Sequence, residues 1–167
     1  MSAQTTYKFD TTIGEAGGII DIAPYEVDSF TNEADTGALR FGVGVVVGTA
    51  AGKKVKLPVA GSTAANFEGI VVNRRTTEYD MDGKIHIAKN STVGVMRYGR
   101  IYGRVVSGVT VAYGDAVYMV KSGDNAGLFT NVADGNLAVK ARFLGAVDAV
   151  NEIAPIELFN GAAPSAN

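Results

Sequence analysis

The sequence predicts an all-β fold: a jelly-roll or β-barrel-like sandwich of about eight to ten short strands, with an extended N-terminal arm. Three observations carry this. Twenty-one glycines are spread along 167 residues, which suits frequent tight turns. Valine is abundant and only 19% of residues are charged, a balance that favours half-buried strands. Apolar residues recur at a period of two in several segments, and no long helical pattern competes with them.

The organisation expected is an N-terminal arm over residues 1–12, a single β domain over 13–160 and a flexible tail over 161–167. The first dozen residues read either as a frayed terminus or as an arm, with Tyr7 and Phe9 as anchors, that becomes ordered against a neighbouring chain. Residues 1–38 hold one short apolar run, 19–22, and read as loosely organised.

The clearest strand follows. Leu39, Phe41, Val43, Val45 and Val47 share one face, and Arg40, Gly42, Gly44 and Val46 the other. The glycines leave that second face bare, so another side chain or backbone can approach closely. Residues 49–52 turn the chain into a second strand, with Val55, Leu57 and Val59 on one face and Lys54 and Lys56 on the other. Pro58 marks an edge or a strand end. Residues 64–67 read as one turn of helix or a loop, and 70–72 as a short strand. "EYDMDG" is a charged turn, and "KIHIA" a short strand with Ile85 and Ile87 opposite His86.

"STVGVMRYGRIYGRVVSG" carries the most unusual side chains. Met96, Tyr98, Arg100, Tyr102 and Arg104 share one parity; Val93, Val95, Ile101 and Val105 share the other, interrupted by Arg97. The Tyr/Arg stripe is expected to face outward while the valines pack. Tyr and Arg are enriched at protein interfaces, although an ordinary hydrated sheet face has the same pattern. Beyond it, "SGVTVAYGDAVYMV" reads as strand, turn, strand. Gly114 supplies a positive φ there, and Asp115 bonds nearby backbone amides. "KSGDNAGLFT" and "ADGN" are further turns. "LAVKARFL" alternates, with Leu137, Val139, Ala141 and Phe143 on one face, and "APIELF" closes the domain.

No catalytic constellation emerges. The chain has one histidine, His86, and no cysteine. Disulfides, thiolate catalysis and a His/Cys zinc site built from this chain alone are therefore excluded. His86 lacks a nucleophile-elbow context and reads as structural or surface. "DMDG" at 80–83 is too short for a calcium loop and no glutamate follows at the twelfth position. "GEAGG" at 14–18 lacks the flanking strand and helix of a dinucleotide site, and "GTAAGKK" at 48–54 has Lys54 where a phosphate loop needs Ser or Thr. Asp115, Asp124 and Asp134 all sit in turns. No cofactor or metal is implied. A net charge of −2 argues against a nucleic-acid groove. The longest apolar runs fall short of a membrane span, and the opening residues lack a signal-peptide pattern, which leaves the Asn90-Ser91-Thr92 glycosylation match without meaning.

The order of the pieces resembles the structural cement, or head decoration, proteins of tailed bacteriophages. The matching pieces run from "AGGIIDIAPYEVDSFTNE" through "LRFGVGVVVG", "KVKLPVAG" and "FEGIVV" to "VGVMRYGRIYGRV", "VAYGDAVYMV", "GLFTNV" and "ARFLGAV", covering roughly residues 14–150. Only "DAVNEIAPIELF" departs, as a longer connection than the usual ending. The resemblance implies a non-enzymatic protein on the outer surface of the virion capsid, made in the host cytoplasm. It would bridge junctions between major capsid protein subunits and assemble as a homodimer or homotrimer, with no nucleic acid or membrane partner. Tyr7, Phe9, Arg40, Tyr98, Arg100, Tyr102 and Arg104 are the interface residues expected. Another phage structural module, of tail or baseplate, and a carbohydrate-binding β-sandwich using Tyr98 and Tyr102 are the alternative readings.

Overall fold

A computed structural model describes residues 14–74 and 86–159. The arm over 1–12 with Tyr7 and Phe9, the "DMDG" turn, Ile85 and the tail over 161–167 lie outside the described residues. The strands are β1 (Glu26–Asn32), β2 (Gly44–Val47), β3 (Lys54–Lys56), β4 (Phe67–Val71), β5 (Thr92–Arg104), β6 (Ala116–Met119), β7 (Phe129–Thr130), β8 (Leu137–Phe143) and β9 (Ile153–Leu158). A 3-10 turn, Ala64–Asn66, precedes β4, at the place where the sequence allowed one turn of helix.

The strands form one continuous sheet in the order β1-β3-β2-β4-β5-β9-β8-β6-β7, and β1 also pairs with β5. The first five strands thus close into a ring. Antiparallel ladders join β2 to β3, β2 to β4, β4 to β5 and β1 to β5, and a short parallel ladder joins β1 to β3. The remaining four strands extend antiparallel from the far half of β5. They curl back so that Phe129 of β7 meets Val105, just past the end of β5, in a parallel bridge. The fold is all-β, a mixed barrel and sandwich. β5, with 13 residues, is the strand common to both halves.

Two cores follow from this arrangement. Phe30, Val43, Val45, Val55, Val71, Val93 and Val95 belong to a cluster inside the five-strand ring. Val46, Ile70, Met96 and Ile101 belong to a second cluster with Val117, Met119, Phe129, Phe143 and Ile156. Adjacent residues such as Val45 and Val46, or Val95 and Met96, therefore enter different cores. Strands buried on both faces read as near-continuous apolar runs rather than as clean alternation. This corrects three expectations. Val46 is not on a bare face but is buried, and Met96 is not on the outward stripe but is fully buried. The strand expected from Leu39 begins only at Gly44, because the chain turns at residues 41–42, with Gly42 at a φ of 78°. Close approach at Gly44 is realised: a Cβ there would strike Met119 and Phe129.

Other segments also differ from the alternation pattern. β1 lies in a region expected to be loosely organised. Residues 86–88 are not a strand, although Ile87 is buried and its carbonyl accepts from Gly37. Residues 109–113, expected as a strand, are irregular. The turn itself is as expected. Gly114 has a φ of 91°, and the Asp115 carboxylate accepts from the Ala112 N–H at 2.9 Å and from the Asn131 amide at 3.2 Å. Asp115 turns the chain. The hairpin of β2 and β3, the turns between β6, β7 and β8, and the closing strand β9 stand where the sequence put them.

Candidate functional site

β5 organises the surface as well as the cores. Its near half pairs with β1 and β4, and its far half with β9. Between the halves lies a bulge: Val27 faces Met96 and Glu26 faces Tyr98, so Arg97 has no counterpart on β1. A bulge re-aims the residues around it. Arg97 consequently leaves the apolar parity and turns to solvent. There it pairs with Asp28 at 3.1 Å and Glu68 at 3.6 Å.

Past the bulge, Tyr98, Arg100, Tyr102 and Arg104 do share an outward side, but their exposure is uneven. Tyr98 is 38% exposed. Arg100, Tyr102 and Arg104 are half-buried, because residues 17–20 run antiparallel along the same edge. Gly17 donates to the Tyr102 carbonyl, Tyr102 donates to Gly18, and Ile20 donates to Arg100. The Tyr102 ring lies against Gly14, so it does not form a flat exposed platform with Tyr98. Arg100 is held by Asp21 at 2.8 Å and Glu157 at 3.0 Å, and Arg142 reaches the other oxygen of Glu157 at 2.7 Å. The register places these residues directly across β5, β9 and β8: Arg100 faces Glu157, which faces Arg142. Arg142 also lies over the Tyr113 and Phe159 rings. Burial pushes the Glu157 carboxyl up, but hydrogen bonds from Arg100 and Arg142 outweigh it and hold the group below its ordinary value. The Arg100 hydrogen bond likewise lowers Asp21.

Arg104 and Arg40 come together at the far end of the stripe. Arg104 donates from Nε to the carbonyl of Phe41, the neighbour of Arg40, at 3.0 Å. Arg40 itself is exposed. Beside the stripe runs an apolar band that sequence reading missed: Ile22 and Tyr25 are exposed, and Ile19 and Val27 are each more than a third exposed. Tyr25 lies against Gly99, and Glu26 pairs with Tyr98, so the band continues into the stripe. Its signal in the sequence was the "IIDIAPYEV" run, whose apolar residues share neither a strand nor a helix period. Among the described residues, no group of three or more His, Asp or Glu side chains gathers to hold a metal ion.

No curated protein matches the chain. A chain of "The capsid of Myoviridae Phage XM1" has the same fold, with a TM-score of 0.69 at 20% identity, over 95% of this chain and 98% of that one. The family model described as structural cement protein (E217 gp24/Pam3 gp6) matches residues 3–159. A match of that extent takes in every strand of the sheet, and the chain belongs to the phage structural cement protein family.

Proposed function

We propose that the protein is a non-enzymatic clamp on the outside of a phage head, binding the major capsid protein across capsomer junctions as a homo-oligomer. The observation that carries this reading is the family match over residues 3–159. DNA packed inside a head pushes neighbouring capsomers apart. A protein that binds only the closed arrangement stabilises it by that differential binding. Several copies linked in one oligomer act at high effective concentration, so weak single contacts suffice. The contact surface in this reading is the band through Ile19, Ile22, Tyr25 and Val27, continued by Tyr98 and Arg100 and flanked by Tyr102, Arg104 and Arg40. Exposed apolar side chains rimmed by arginines suit a protein partner.

The test is DNA release against temperature for filled heads carrying wild-type protein, a Tyr25→Ala/Tyr98→Ala variant, or none. Wild-type protein is expected to raise the release temperature, and the variant to bind heads at least tenfold more weakly, since a buried interfacial Tyr costs about 2 kcal/mol or more on truncation. Identical release curves for decorated and bare heads would sink the reading. Sedimentation equilibrium at micromolar concentration tests the oligomer, and a clean monomer mass counts against it.

A further inference from the structure

The arginines of β5 are not treated alike. Arg97 and Arg100 each hold two carboxylates. Arg104, the most buried of the three by its surroundings, forms no ion pair among the described residues; its side-chain hydrogen bond there runs from Nε to the Phe41 carbonyl. Arg104 lines a cleft of about 420 Å3, walled also by Glu15, Phe41, Asn73, Asn151 and Ile153. Burial pushes the Arg104 guanidinium below its ordinary value, the Arg40 charge pushes it further, and Glu152 offsets only part. A half-buried arginine without an ion pair is costly to keep, and a partner anion lowers the cost.

The cleft walls are built rather than loose. Asn73 bonds Glu15 at 3.0 Å on one side. On the other, the Asp148 carboxylate accepts from the Val150 N–H at 3.0 Å and tightens the turn before β9. That turn holds Glu152 at a φ of 52°, a left-handed conformation unusual for glutamate, and carries Val150 at its tip, 88% exposed. Local strain of this kind concentrates where a surface is shaped for contact. The charges also limit the ligand. Arg104 shares the cleft lining with Glu15, which disfavours a polyanion such as a polyphosphate backbone. A single planar carboxylate matches the guanidinium fork.

We propose that this cleft receives one carboxylate of a partner protein, an Asp or Glu side chain or a chain terminus, on the remaining N–H groups of Arg104, with Arg40 as the outer cation. That the partner is a capsid chain rests on the function proposed above; the carboxylate chemistry does not.

The test is a titration of the free full-length protein, following the Arg104 Nε–H resonance by NMR. The probes are a Gly-Glu-Gly peptide capped at both ends, acetyl-Gly-Gly-Gly with a free terminus, a capped Gly-Gln-Gly peptide and inorganic phosphate. A saturable shift with either carboxylate peptide, absent with the glutamine peptide, is the expected result, and which peptide gives it distinguishes side chain from terminus. Arg40→Gln, an exposed change, should weaken that binding roughly threefold or more through loss of a nearby charge. Arg104→Gln should abolish it. Should that variant fail to fold, the wild-type titration and Arg40→Gln still decide. No shift with either carboxylate, an equal shift with glutamine, or binding of phosphate tenfold tighter than carboxylate each overturns the proposal. Failure of the wild-type protein to bind heads would overturn the proposed function, and the titration would judge the cleft independently.

Discussion

Glu157 stands between Arg100 and Arg142 on three adjacent strands, its side chain only 14% exposed. Its lowered pKa has a definite sign in the stability curve. A carboxylate depressed in the folded state contributes stability that is complete above its unfolded value, near 4.3, and is lost as pH falls through the folded value. Wild-type stability in urea should therefore fall below about pH 4.5, and Glu157→Gln should flatten that part of the decline; an unchanged acid limb would show the ladder to be inert. Asn32 is a different kind of residue. It is fully buried, donates to the carbonyls of Ala88 at 3.0 Å and Ala34 at 3.3 Å, and accepts from the Ala34 N–H at 2.9 Å. Replacing it with alanine strands buried backbone groups, at a cost of about 2 kcal/mol. Denaturant midpoints at constant slope check this. His86, by contrast, enters no strand, and its half-buried ring lies against Gly37.

At the scale of elements, legibility depended on what each strand packs against. β8 reads directly, since Leu137, Val139 and Phe143 are buried and Ala138 is exposed: one face meets the core and the other meets water. β2 and β5 do not, because each feeds two cores. No local pattern announces that Val46 and Met96 are inward, and the bulge at Arg97 is fixed by pairing with a strand 69 residues away along the chain. β1 was illegible because its burial is uneven, with only Phe30 and Asn32 fully buried in it. The same non-local logic decided the site. The Tyr/Arg alternation named Tyr98, Arg100, Tyr102 and Arg104 as outward. It could not show that residues 14–21 lie over three of them, nor that Asn73 and Asn151 complete a cleft around Arg104. That covering strip depends on Gly17, whose φ is 75° and where a Cβ would come within 2.7 Å of both Asn73 N and Val71 O. Gly17→Ala should cost about 2–3 kcal/mol and selectively speed amide exchange at Tyr102 and Gly18. Slow exchange at both sites in the variant would show the strip to be held by something else.

For the whole molecule, the sharing of β5 makes the two cores one cooperative unit. Val95 fills the ring cluster and Ile101 the other, six residues apart on the same strand. Ile101→Ala should destabilise the protein by about 2–5 kcal/mol. Even so, urea unfolding should remain a single transition, with fluorescence and far-ultraviolet dichroism coinciding. Separate transitions for the two halves would contradict the coupling. The shared strand has a mechanical corollary. Because the two ladder systems grip successive stretches of one polypeptide, a load drawing the halves apart along β5 is resisted by the covalent backbone and by many hydrogen bonds sheared together. A load applied sideways at β7, paired with β6 over only two residues, would instead open bonds one at a time. The molecule should thus be stiff along one axis and compliant across it. If the protein spans a joint under tension, as proposed above, β5 is expected to lie along the pull.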